Sequence, residues 1–225
     1  MGLAPSPVYD ATRTALHAVA EHVVAAALHQ ATGRIGLRAT PGGFGTPVFE
    51  VGGVDRQVRV EGIELVVLEG SATRRSPLRT IAGAAALVGI EPGGPSSVYA
   101  LVTSLEPDVP LALDPDAAAQ VHAWFALTDA ALGQFSQQHA VDAPSAAQLW
   151  PEHLDLALTM AEVNYGGSPG DGVHESPYLY VGPWSFERSA DELWNEPFGA
   201  SRPHAEVSSS ADALAFFEQG RRAGR

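Results

Sequence analysis

The chain has 225 residues, 45% of them hydrophobic and 17% charged, which is enough apolar material for a folded core and too much for a disordered protein. It has no cysteine, so disulfides, thiolate nucleophiles and cysteine-ligated metals are excluded. The net charge of −13 opposes binding to phosphate backbones, and we expect no nucleic-acid partner.

Residues 9–31 have the spacing of an amphipathic helix. Leu16, Val19 and Val23 fall on one face at intervals of three and four residues, and Gly33 is expected to end the helix.

Two histidines of this helix share a face. His22 and His29 lie two turns apart, about 10 Å along the axis, which is too far to chelate one ion. We expect them at the surface or boundary of the helix, and we expect Asp10 or Thr12 to cap its start.

Residues 34–69 change to a period of two. Short alternating runs, among them RQVRVEG and IELVVLE, are separated by glycine turns, which predicts an antiparallel meander with one solvated face. The run PGGFG at 41–45 matches no phosphate-binding fingerprint and is interpreted as a turn.

Two further helices and a strand are predicted in the middle of the chain. Pro77 is expected to open a helix that Gly89 ends, and the run SVYALVTSL at 97–105 is expected to form a strand. Asp114 is expected to cap a long helix over 113–139.

The predicted fold class is α+β, with an antiparallel sheet, formed by the meander and a C-terminal hairpin, packed by N-terminal and central helices. Residues 1–225 are interpreted as a single domain. A subdomain boundary near 140–147 would separate a helix–meander–helix half, 1–139, from a hairpin and aromatic-rich half, 148–225. Residues 191–210 are expected to be irregular before a short helix over 211–219, and the end GRRAGR is expected to be disordered.

The segment 149–184 is the strongest candidate for chemistry, because it combines histidines, tyrosines, tryptophans and carboxylates. Residues 152–160 alternate as a strand would, although a helix stays an alternative for 152–164. Pairing this strand with PYLYVGPW, 177–184, would give a long-looped hairpin with its leucines on one dry face.

On the opposite face, His153 and Asp155 would point the same way, and the loop would add Asp171, His174 and Glu175. Two histidines with carboxylates and no sulfur suit a divalent metal such as zinc, manganese, iron or nickel. The alternative is a hydrogen-bonded face that only orders the hairpin.

Five aromatic residues of the same segment are candidates for lining a pocket. They are Trp150, Tyr165, Tyr178, Tyr180 and Trp184. They also fit a small aromatic core beneath an irregular segment.

Residues 166–170 match the G-x-S-x-G pattern of serine hydrolases, with Ser168 as nucleophile and Asp191 and His204 following it. The pattern is weak here because Pro169 and the glycines after it do not favour a helix, so a turn is the preferred interpretation.

The runs LWPEHLDLA, NYGGSPGD and PYLYVGPW resemble the signature of uncharacterised actinobacterial proteins that share a domain of unknown function. The resemblance covers residues 148–200 and implies a bacterial cytosolic setting. It supplies no activity and no catalytic residues.

Three functions follow as hypotheses. The first is a small-molecule-binding protein or an enzyme with its site on 149–184. The second is a non-catalytic interaction module that forms a homodimer or binds another partner, and the third is a serine hydrolase. No apolar run reaches the roughly 18 residues of a membrane span, so no membrane partner and a cytoplasmic location are predicted.

Overall fold

The structure, a computed structural model, describes residues 6–185 and 192–224, and its helices and two antiparallel sheets confirm the α+β class. These residues form two compact units. The N-terminal unit contains Ser6–Ala123 and Leu149–Leu154, and the C-terminal unit contains 124–148, 155–185 and 192–224. The predicted domain organisation stays a prediction. No helix among the described residues combines the length and the apolar composition needed to cross a bilayer.

The N-terminal unit contains one long helical run, a sheet and a short helix. Its elements are α1 (Pro7–Val19), a π-helical stretch (Ala20–Ala25), α2 (Ala26–Thr32), β1 (Arg38–Thr40), β2 (Gly43–Gly45), β3 (Phe49–Val51), β4 (Val54–Glu61), β5 (Glu64–Glu69), β6 (Ala72–Pro77) and α3 (Ile81–Val88). Helix α4 (Pro115–Gln138) and strand β7 (Gln148–Trp150) each contribute residues to both units.

The predicted N-terminal helix is confirmed, with two corrections. Its cap is Ser6, whose Oγ accepts the Tyr9 N–H at 3.1 Å, so neither Asp10 nor Thr12 caps it. His22 is fully buried and not at the surface, because it lies in the π-helical stretch and bonds to the segment that follows α3. Gly33 ends the run with a left-handed φ of 72°, as expected.

The first sheet has the strand order β1-β2-β4-β5-β6, and β3 also pairs with β4. The meander is confirmed, but PGGFG is a turn only at Pro41 and Gly42, since Gly43–Gly45 is strand β2. A Cβ at Gly43 or Gly45 would collide with the backbone of β4, so these glycines permit the close pairing.

Two predictions beyond the meander are wrong. Pro77 ends strand β6 and does not open a helix. Helix α3 begins at Ile81, and Thr80 is its N-cap, because the Thr80 Oγ1 accepts the Gly83 N–H at 3.1 Å. The expected strand at 97–105 is absent from this described segment. The backbone N–H groups of Val102 and Thr103 bond to a buried carboxylate and not to a neighbouring strand.

His122, from the first turns of α4, is buried against the sheet of the N-terminal unit. Its Nε2 lies 2.9 Å from the carbonyl oxygen of Gly62, and its ring lies 6.2 Å from that of Phe44. Burial lowers the pKa of His122, and the bond to Gly62 offsets this only in part.

We expect this histidine to make the protein less stable in mild acid. Below about pH 6.5 the unfolded chain binds a proton on this imidazole while the folded chain does not. Stability is therefore lost as the pH falls from that value to the lower folded pKa. Urea unfolding at pH 7.5, 6.5 and 5.5 measures the loss, and His122→Asn should flatten it. An unchanged pH dependence in this variant would contradict the assignment.

The C-terminal unit contains a second sheet, helix α5, two 3₁₀ turns and the part of α4 from Trp124 onward. Its elements are a 3₁₀ turn (Ala140–Asp142), β8 (Asp155–Met160), β9 (Val163–Ser168), β10 (Tyr178–Pro183), β11 (Ala200–Pro203), a second 3₁₀ turn (His204–Glu206) and α5 (Ser210–Ala223). The strand order within the unit is β11-β10-β9-β8, all antiparallel.

The predicted hairpin is wrong in its pairing, because β9 lies between β8 and β10. Two segments expected to lack regular structure are also ordered. Strand β11 forms within the segment expected to be irregular, and α5 continues to Ala223, through most of the GRRAGR end. The long central helix is confirmed, with Asp114 Oδ1 accepting the Ala117 N–H at 2.9 Å.

Candidate functional site

The two faces of the second sheet separate as the alternation predicts. Leu156, Leu158, Leu179 and Val181 are buried on one face, where Phe135 and Phe217 of the helices pack on Tyr165 of β9. The strand registers put Asp155, Tyr178 and Tyr180 on the other face, as expected. The polar groups of interest therefore share one side of the sheet.

Tyr180 and Asp155 meet across the intervening strand. The Tyr180 hydroxyl donates to Oδ2 of Asp155; Asp155 is buried, and Tyr180 is half-buried. Gly166 lies between them on β9, and a Cβ there would stand 2.6 Å from the Tyr180 hydroxyl oxygen. Burial, and then the charge of Asp155, raises the pKa of Tyr180 far above its usual value, so the phenol stays protonated. This pair holds the sheet face together.

The loop after β9 closes on Asp171. Its Oδ1 accepts the N–H groups of Val173 and His174 at 2.8 and 3.0 Å, and its Oδ2 accepts the Tyr178 hydroxyl at 2.7 Å. Burial, and then the bond to Asp171, raises the pKa of Tyr178. Both oxygens of Asp171 therefore bond within the loop and hold its conformation. His174 lies in the same loop and is partly exposed to solvent.

His174 is paired with a glutamate that sequence reasoning did not select. Its Nε2 lies 2.8 Å from Oε1 of Glu196, and the Ser201 hydroxyl donates to the same oxygen at 2.7 Å. The imidazole side chain is 35% exposed and the glutamate 16% exposed. Because a carboxylate only accepts hydrogen bonds, Nε2 of His174 carries a proton.

These residues border a cleft of about 560 Å³, a volume that suits a small ligand. The cleft is lined by Val173, His174, Glu175, Ser176, Tyr178, Asn195, Glu196, Ser201, Pro203 and Glu206. Three of these residues are glutamates and none is an arginine, so the cleft favours positive charge.

His153 does not join this cluster. It lies in the turn at 151–154, where Leu154 has a φ of 52°, and the strand begins only at Asp155. Strand geometry therefore does not place the two side chains on one face. Among residues 6–185 and 192–224, no three histidine, aspartate or glutamate side chains are arranged to hold one ion. The geometry gives the predicted metal site no support.

The aromatic candidates are distributed over different environments. Tyr178 lines the cleft, whereas Tyr165 is buried against Phe135 with a ring separation of 4.7 Å. Trp184 is 65% exposed and donates its Nε1–H to Asn164. Trp150 belongs to the N-terminal unit.

The serine-hydrolase pattern lacks the expected setting. Ser168 is 2% exposed, and its Oγ accepts the N–H of Gly170, in a turn that leads into no helix. His204 lies in a 3₁₀ turn with its ring 5.2 Å from that of Trp124, and Asp191 lies outside the described residues. A nucleophile elbow is a strand-to-helix turn that exposes its serine, which the described part of this segment does not form.

Sequence reasoning missed Glu196, Ser201 and Glu206 because the segment around them was expected to be irregular. The alternation in ASRP and the acidic residues that flank it were the available signals. Comparisons of this chain with known protein families, with curated proteins and with solved structures found no match.

Proposed function

We propose that the C-terminal unit binds a small organic cation in the cleft between the loop at 171–178 and the segment at 195–206. The observation that carries the proposal is the carboxylate of Glu196, which is fixed on one oxygen by His174 and Ser201. No residue of the described ranges donates to its second oxygen, which a ligand would therefore reach. A pre-positioned carboxylate binds an ammonium or guanidinium group without losing much side-chain freedom.

The charge balance of the cleft supports this class of ligand. Glu175 and Glu206 also line it, and none of the described residues that line it is an arginine. A carboxylate accepts hydrogen bonds as well as attracting positive charge, so the ligand that fits carries hydrogen-bond donors on its cationic group. The half of the chain that contains this cleft also carries most of the negative charge of the protein.

Titration calorimetry with putrescine and with its neutral isostere 1,4-butanediol tests the proposal. We expect putrescine to bind and butanediol not to bind. Glu196→Gln should weaken putrescine about 10- to 100-fold, since a hydrogen bond to a charged group contributes about 1.5–3 kcal/mol.

Glu192→Gln is the matched control, because it removes the same charge from an exposed residue that does not line the cleft. This variant should bind putrescine like the parent protein. Equal binding of the diol, or equal weakening in both variants, would contradict the proposal.

A cytoplasmic location, a homodimer and membership of the actinobacterial group stay proposals beside this one. A homodimer would be detected by light scattering of the purified chain.

A further inference from the structure

A second cleft, of about 720 Å³, lies in the N-terminal unit between α1 and the segment at 102–112. We propose that it binds an apolar molecule carrying one neutral hydrogen-bond donor, such as a phenol. Its chemistry differs from that of the acidic cleft, and its occupant is independent of the proposed function.

The walls of this cleft are mainly aliphatic. Ile81 and Leu111 contribute to it, and Val102 and Val109 line it with 63% and 52% of their surfaces exposed. A ligand bound in this cleft would remove their apolar surface from water, which favours its binding.

The charged groups of this cleft do not favour an anion. Arg13 is already paired with Asp10, at 3.4 Å, on the same face of α1. The remaining lining carboxylate, Glu106, repels anions such as fatty acids. Anions are therefore disfavoured, and it is the aliphatic lining that favours an uncharged ligand.

His17 provides a defined hydrogen-bond acceptor in the cleft. Its Nε2 lies 2.8 Å from the carbonyl oxygen of Pro151, which only accepts, so Nε2 carries the proton. Burial lowers the pKa of His17 more than the charge of Glu21 raises it. The lowered pKa keeps the ring neutral. Nδ1 then holds a lone pair, and no described residue donates to it.

The wall opposite α1 is fixed before any ligand binds. The buried carboxylate of Glu21 accepts the N–H groups of Val102 and Thr103 at 3.1 and 2.8 Å, and His22 Nε2 lies 3.1 Å from the carbonyl oxygen of Thr103. A preformed cleft loses little entropy when a ligand enters it.

Binding of 2-naphthol and of naphthalene, followed by the ligands' own fluorescence, tests the proposal. A cleft that offered only apolar contacts would prefer naphthalene, the more hydrophobic of the two. We expect 2-naphthol to bind about three- to tenfold more tightly than naphthalene, because 2-naphthol donates one hydrogen bond to His17. The preference should vanish in His17→Leu and persist in the matched variant His29→Leu, whose side chain does not line the cleft.

A second variant keeps the test decisive if His17→Leu fails to fold. Ala11→Trp places a large ring at the rim of the cleft from an exposed helix position and should abolish binding of both compounds. Tighter binding of naphthalene, no binding of 2-naphthol, or unchanged binding in Ala11→Trp would each overturn the proposal. Glu196→Gln should leave 2-naphthol binding unaffected.

Discussion

Gly166→Ala is expected to lower the free energy of unfolding by about 3–5 kcal/mol. The new Cβ would stand 2.6 Å from the Tyr180 hydroxyl oxygen and 2.7 Å from the carbonyl oxygen of Leu156. Overpacking of this kind costs about 1–3 kcal/mol, and displacing the phenol also removes a hydrogen bond to a buried carboxylate, worth about 1.5–3 kcal/mol. Urea unfolding followed by tryptophan fluorescence measures the change.

Gly133→Ala provides the opposite control. Gly133 lies inside α4, where an added Cβ would meet no neighbouring atom within 4 Å, so alanine there should stabilise the protein by about 0.5–1 kcal/mol. Tyr180→Phe removes the hydroxyl without crowding and should lose only the hydrogen-bond part of the effect. A Gly166→Ala protein as stable as the parent would show that the ring does not cross the strand here.

Glu21→Ala is expected to cost about 3–6 kcal/mol. The side chain is fully buried, and it accepts the N–H groups of Val102 and Thr103 and the Thr103 hydroxyl. Its removal leaves three donors without an acceptor, each at a cost of about 1–3 kcal/mol when water does not reach it. Urea unfolding measures the loss, and faster hydrogen exchange at the amides of Val102 and Thr103 locates it.

Glu21→Gln keeps one acceptor oxygen and should lose about half as much, which keeps the comparison measurable if the alanine variant does not fold. Glu50→Ala, at an exposed strand position, should stay within about 0.5 kcal/mol of the parent. A Glu21 variant as stable as Glu50→Ala would contradict the structural role of this carboxylate. It would also contradict the claim that Glu21 fixes the wall of the second cleft.

The alternation of side chains was sufficient to predict the faces of the second sheet, because burial forces a period of two on any strand with one dry side. It failed at β9 for a local reason. The turn at Ala161 and Glu162 has φ values of 50° and 62°, a geometry that usually requires asparagine or glycine. The paired glycines at 166 and 167 also favoured a loop, although Tyr180 and Thr128 lie against them.

The candidate site also has a part that the sequence predicts and a part that it does not. Asp171, His174 and Tyr178 converge through a local turn, so their proximity was predictable from spacing. Glu196 reaches His174 from 22 residues further along the chain, because Glu196 lies just before the edge strand β11. No periodicity in the sequence reports such a long-range contact. The prediction of a strand at 97–105 was wrong for a related reason. The backbone N–H groups of Val102 and Thr103 bond to Glu21, which lies 81 residues before Val102 in the chain.

The π-helical stretch at 20–25 has a consequence for how this chain tolerates changes in length. A π turn takes one residue more between bonded partners than an α turn, and each residue of an α-helix advances the direction of its side chain by about 100°. Because the wider turn absorbs one surplus residue, losing a residue there would restore uniform α-helical winding and leave Arg13 and His17 facing their present neighbours. The same loss within α1 would turn every residue before it by about 100°, so the two stretches tolerate different changes of length.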